Sequence, residues 1–115
     1  VDAERLRELG PAFEPTAFSS AELALLDQLD PESRRQWLLR LWCAKEAVAK
    51  ALGIGLRAGP RSLAVTRADR ATGRVCVSLS KTLAGEFGEF AQASLLVYTQ
   101  QDGDYIFAAT LCEKG

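Results

Sequence analysis

The residues best equipped for chemistry lie in one run, Trp42-Cys43-Ala44-Lys45-Glu46-Ala47-Val48-Ala49-Lys50. Read as helix, the run sets Glu46 and Lys50 four residues apart, one turn, on a shared face. Trp42 stands one turn before Glu46 on the same side. Lys45 is turned from Glu46 by about 100° and flanks that face. A carboxylate between two ammonium groups, backed by an aromatic ring, could hold a metal beside a polyphosphate. Taken alone, the Glu46–Lys50 spacing reads as an ordinary solvated pair on a helix surface, and it is the neighbouring residues that point to more. More carboxylates stand at the start, in Val1-Asp2-Ala3-Glu4. In a strand Asp2 and Glu4 share one face, because strand side chains alternate. They repel each other unless a cation sits between them. Mg²⁺ suits that place, since it takes one or two carboxylates together with substrate phosphates. A charged, frayed terminus explains the same residues without a metal.

The elements that must position these groups follow from punctuation. After a strand over Val1 to Glu4, the stretch Arg5 to Thr16 contains Gly10, Pro11 and Pro15 and reads as loop. Ser19-Ser20-Ala21-Glu22 is a capping box opening a short helix to Leu29, with Leu23, Leu25, Leu26 and Leu29 on its buried side. Asp30 caps a second helix with Pro31 in its first turn, and Gly53 ends it. Trp37, Leu38, Leu41, Trp42, Ala44, Val48, Ala51 and Leu52 recur at three and four and give that helix a broad apolar face. Beyond it, Ser62 to Thr66 and Arg74 to Leu79 read as strands joined by a turn at Asp69 to Gly73. Ala93 to Thr99 and Tyr105 to Cys112 read as a hairpin around Gln101-Asp102-Gly103-Asp104. Ser80 to Phe90 fits loop or short helix. The expected fold is α+β over one domain, 1–115: a long helix packed on a small antiparallel sheet, with Val1 to Glu4 joining the sheet beside the helix. That pairing would bring Asp2 and Glu4 near Glu46.

Composition removes several functions. The chain has 115 residues, enough for one modest core. A net charge of −1 argues against a nucleic-acid surface, which needs a basic excess. No apolar run is long enough to span a bilayer and no signal-peptide pattern is present, so no membrane role and a cytoplasmic setting are expected. Cys43, Cys76 and Cys112 are widely spaced, there is no histidine, and no C-x-x-C occurs, which argues against zinc. Reduced, mostly buried thiols fit that setting. Cys43 has no histidine to act as its base.

Three pieces together resemble the 4′-phosphopantetheinyl transferase superfamily: V-D-A-E at Val1 to Glu4, F-S-S-A-E at Phe18 to Glu22, and W-C-A-K-E-A-V-A-K at Trp42 to Lys50. They resemble the family's strand motif (I/V)-(G)-(I/V)-D-x-E from its second I/V position onward, its Phe-Ser-x-x-Glu segment and its helix motif (F/W)-x-x-K-E-(A/S)-x-x-K. Ala51-Leu52-Gly53-Ile54-Gly55-Leu56 is similar to the helix's A-x-G-x-G-(L/I) ending. D-x-E and the tryptophan resemble the surfactin-type branch, whose enzymes are pseudo-dimers of two similar halves. These motifs belong to the C-terminal half. The other half carries a Ser-His element that contacts coenzyme A, and this chain has no histidine. Val75 to Thr82 imitates the V-S-L-S-H-T of the short holo-acyl-carrier-protein synthase branch, with Lys81 replacing its histidine, and reads instead as an alternating strand. The start on Val1-Asp2, without the family's preceding glycine, fits an excised or processed piece.

The resemblance implies transfer of 4′-phosphopantetheine from coenzyme A to a serine of an acyl or peptidyl carrier protein, with release of adenosine 3′,5′-bisphosphate. It implies that Asp2, Glu4 and Glu46 hold Mg²⁺, which Mn²⁺ could replace, against the pyrophosphate. Glu46 would take the serine proton, directly or through a water. Lys50 would stabilise or protonate the leaving bisphosphate, and Lys45 would contact phosphate. The carrier would dock on the segment between the motifs, which offers Phe13, Phe18 and the helix from Ser20 to Leu29. A second transferase half or a homo-oligomer would complete the site. Two other readings remain: a homotrimeric synthase of the short branch, and a non-catalytic half that binds a carrier protein or completes another chain.

Overall fold

The computed structural model describes residues 2–5, 18–53, 63–80, 95–103 and 105–110, with the backbone alone described for 2–5. Its elements are β1 (Asp2–Arg5), α1 (Ser20–Ala24), α2 (Pro31–Leu52), β2 (Leu63–Asp69), β3 (Arg74–Leu79), β4 (Leu95–Asp102) and β5 (Tyr105–Thr110). The strands form one five-stranded sheet in the order β1-β5-β4-β3-β2, and every pair is antiparallel. Helix α2 packs on one face of this sheet and touches all five strands.

The punctuation residues act as expected. The Ser19 hydroxyl accepts from Glu22 N at 3.2 Å, while Ser19 N donates to Glu22 Oε1 at 2.9 Å. Asp30 caps α2 by accepting from Ser33 N at 3.4 Å, and Gly53 ends it at φ 75°. Helix α1 is shorter than the expected run to Leu29. After Ala24 the backbone bonds span three residues (Leu26 N to Leu23 O, Asp27 N to Ala24 O, Leu29 N to Leu26 O) and tighten the chain into turns. The tighter winding shifts the faces, so Leu26 is buried but Leu25 is 39 % exposed. Ala51 of α2 also faces outward, whereas Leu39, Cys43, Ala47 and Ala49 join the buried set.

Alternation in the strands divides the sheet's two faces. Leu63 and Val65, Val75 and Val77, Leu95 and Val97, and Ile106 and Ala108 all point into the core with the apolar side of α2. Each large aliphatic side chain buried this way contributes about 1.5–3 kcal/mol. On the opposite, open face Leu96, Tyr98, Tyr105 and Phe107 remain 38–54 % exposed. The two hairpins turn at Gly73 and Gly103, both with positive φ. Gly73 is also a close approach. Its carbonyl accepts from Thr99 N at 2.8 Å and from Thr99 Oγ1 at 2.6 Å, and a Cβ there would collide with the Thr99 carbonyl. Arg40 closes the same corner, its guanidinium 4.8 Å over the Trp37 ring and donating to Thr99 Oγ1 at 3.4 Å. The stretch from Ser80 to Phe90 lies, after its first residue, outside the described residues, as does Cys112.

Candidate active site

Two elements bring the acidic motifs together. Strand β1 is an edge strand paired to β5, with Asp2 opposite Ala108 and Glu4 opposite Ile106. Ala108 and Ile106 are buried beneath α2, and directly opposed residues occupy one side of an antiparallel pair. Asp2 and Glu4 therefore hold register positions on the helix side of the sheet, and β1 itself packs against α2. Their side chains lie outside the described residues. On the helix, Trp42, Glu46 and Lys50 follow one another turn by turn along the margin of the buried face. Trp42 and Glu46 are half-buried, and Lys50 is exposed in the last turn. Among the described residues no group of three or more His, Cys, Asp or Glu side chains could hold a metal, which leaves a site there dependent on β1. The neighbouring thiol, Cys43, is buried and directed at the Ile106 carbonyl, 3.6 Å away.

Lys45 is placed differently from the phosphate contact expected of it. Its side chain is fully buried, and its ammonium donates to Glu22 Oε1 at 3.0 Å and lies 2.8 Å from Oε2. It also sits 4.8 Å from the centre of the Phe18 ring, and the Phe18 and Trp42 rings stand nearly perpendicular with their centres 6.5 Å apart. The ammonium is held inside the protein on Glu22 and is not presented at the surface. Phe18 is correspondingly fully buried, so it anchors its segment and offers no carrier-docking surface. Phe13 lies outside the described residues.

Glu22 is the residue whose task the sequence left half-read. Beyond the capping box, its carboxylate accepts from Val65 N at 2.8 Å as well as from Lys45. One buried carboxylate thus ties the start of α1, the middle of α2 and strand β2, next to the bulge between Val65 and Arg67. The four donor contacts satisfy an anion that burial would otherwise penalise heavily. A signal was present. Lys45 interrupts an apolar stripe of Leu38, Leu41, Val48 and Leu52 at helical spacing, and a cation in such a stripe needs a buried acid. The Phe-Ser-x-x-Glu and Trp-x-x-Lys-Glu motifs therefore interlock in space through Phe18, Glu22, Trp42 and Lys45.

Among the described residues no helix is long and apolar enough to cross a membrane. In comparisons with known proteins, no curated protein and no solved structure matches the chain. A family model does match, over residues 1–110, and its description is the 4′-phosphopantetheinyl transferase superfamily. The matched stretch takes in every element described above, from the acidic edge strand to the last strand of the sheet, and the chain belongs to the 4′-phosphopantetheinyl transferase superfamily.

Proposed function

We propose that the chain is the metal-holding part of a transferase that moves 4′-phosphopantetheine from coenzyme A to a carrier-protein serine. The observation that carries this reading is the register of β1, which sets Asp2 and Glu4 opposite Ala108 and Ile106 beneath the helix that bears Glu46. The donor set fits a hard divalent cation: three carboxylates, no histidine in the chain, and the nearby Cys43 thiol turned to a backbone carbonyl. When bound, Mg²⁺ (or Mn²⁺) would neutralise charge on the coenzyme A pyrophosphate. Asp2, Glu4 and Glu46 would hold it there.

The remaining steps belong to side chains. Glu46, half-buried at the margin of α2, would accept the proton of the attacking serine hydroxyl, directly or through a water. Lys50, exposed one turn on, would stabilise the leaving bisphosphate or give it a proton, and adjacent phosphates keep such a lysine charged. Lys45 would act from within. Phosphate contact by its ammonium would first require release from Glu22, so the structure favours Lys50 as the phosphate-facing cation. The carrier would approach the segment before α2, where Leu25 is exposed while Phe18 is buried.

A second half or further copies of the chain would complete the site. Tyr105 and Phe107, on the part of the open sheet face nearest β1, are 48 % and 40 % exposed, and an interface of a permanent assembly resembles a core cut in half. The same exposure favours association in either form, a two-half enzyme or a homo-oligomer of the short synthase kind. Titration calorimetry with Mg²⁺ in the presence of coenzyme A tests the metal site. Glu46→Gln should abolish the metal-dependent heat with the circular dichroism spectrum unchanged, and unchanged binding would remove Glu46 from the site.

A further inference from the structure

The open sheet face is not uniform. Toward β1 it is apolar and aromatic, but at the β2–β3 end it becomes cationic. The bulge after Val65 sets Arg67 opposite Cys76, Cys76 pairs with Leu96, and Arg74 pairs with Tyr98. Together with Arg70 of the turn, these arginines flank a groove of about 880 Å³ whose floor includes Cys76 and Leu96. Asp69 also lines the groove; its Oδ1 accepts from Ala71 N at 3.0 Å, and hydrogen bonds from the turn, with a smaller attraction from Arg74, hold its carboxyl below its ordinary value. Arg74 is braced on the Tyr98 ring at 5.6 Å. Arg67 and Arg70 are exposed and form no ion pair among the described residues. In a chain of net charge −1, the described residues that line this groove include three arginines and one acid, Asp69, so their summed charge is positive.

We infer that this groove binds an acidic segment of a partner polypeptide, with carboxylates on Arg67, Arg70 and Arg74 and apolar side chains on Leu96 and Tyr98. The arginines come from β2, the turn and β3, and Leu96 lines the same groove, so the surface offers charge beside apolar area and suits an acidic peptide better than a single phosphate. Arginine forks match carboxylates in pairs, and the apolar floor supplies the contact area that exposed ion pairs lack. Both features call for a ligand with acidic and apolar groups side by side. The inference goes beyond the transfer reaction and does not depend on it.

The test is fluorescence anisotropy of the intact chain with a short labelled peptide that repeats Glu and Leu at helical spacing. A control peptide carries Gln at every Glu position. Arg67→Ala with Arg70→Ala should weaken binding of the acidic peptide roughly tenfold, as expected for a few exposed pairs, with an unchanged melting temperature. Raising salt from about 0.01 M to about 0.15 M shortens the screening length from about 30 Å to about 8 Å and should weaken binding in parallel. The Gln peptide should bind weakly at either salt. Failure of the acidic peptide to bind the wild-type chain, or equal binding by the double variant, overturns the inference. Displacement of the peptide by inorganic phosphate at matched ionic strength would make this a small-anion site instead. Loss of self-association in the double variant, seen by sedimentation, would make the occupant a second copy of the chain.

Discussion

Removing the Glu22 carboxylate is the sharpest perturbation the structure offers. Glu22→Ala would leave the Lys45 ammonium fully buried without its anion and would orphan the N–H groups of Ser19 and Val65. Breaking one side of a buried ion pair costs about 3–5 kcal/mol, because the remaining charge keeps its desolvation penalty. Against a total stability of about 5–15 kcal/mol for a domain of this class, a loss of about 4 kcal/mol is severe. In urea, with a slope of about 2 kcal/mol/M, the unfolding midpoint should fall by about 2 M, followed by circular dichroism. Glu22→Gln combined with Lys45→Met removes both charges, keeps an amide oxygen for a backbone donor, and sets a thioether against Phe18. That double variant should lie within about 1 kcal/mol of the wild type. The cycle made of Glu22→Gln, Lys45→Met and their combination isolates the pair. A loss below about 1 kcal/mol for Glu22→Ala, or a double variant as unstable as the single, would refute the reasoning.

Further outcomes follow from other contacts. Gly73→Ala puts a side chain at φ 78° against the Thr99 carbonyl and should cost at least about 2 kcal/mol, read from the thermal midpoint. Lys50→Ala should lower kcat at least about tenfold with the melting temperature unchanged, since Lys50 is exposed and its proposed task is to offset charge on the leaving phosphate. Leu25→Asp should raise the Kd for a carrier protein and leave coenzyme A binding alone, whereas equal loss of both would place Leu25 outside the docking surface. For pH, hydrogen bonds from the Ser33 hydroxyl and then its backbone N–H hold Asp30 below its ordinary 3.8. A lowered folded value means that the cap contributes fully above 3.8 and is lost as pH falls through that folded value. The stability difference between wild type and Asp30→Ala should therefore be flat near neutrality and shrink below 3.8.

Local signals in the sequence carried most of the scaffold because they act locally. Asp30, Pro31 and Gly53 delimit α2 by the chemistry of helix ends, and the alternation in Arg74 to Leu79 gives β3 its buried valines. Boundaries set by longer-range contacts were less legible. Helix α1 ends after Ala24, and β2 continues to Asp69 past a bulge whose neighbour Val65 is tied to Glu22. The helix-side placement of Asp2 and Glu4 was legible in outline, because they share one strand face and the strand was expected to join the sheet beside the helix. The fate of Lys45 was legible only in part, since its place in an apolar stripe asks for a buried acid but does not say which one. Its neighbours Trp42 and Glu46 suggest a phosphate site, whereas the acid that holds it lies in a different motif. Only folding brings Glu22 and Lys45 together. Phe18 shows the same effect. A phenylalanine before a capping box reads as a surface hook, but here its ring closes over that ion pair.

Mass spectrometry of an apo carrier protein incubated with coenzyme A, Mg²⁺ and the chain, in its associated state and together with a second transferase half, tests the central claim most directly. The account predicts that one phosphopantetheine is added to a carrier serine as adenosine 3′,5′-bisphosphate appears, and that Glu46→Gln abolishes the addition. No addition in either form, or undiminished addition by Glu46→Gln, would contradict it.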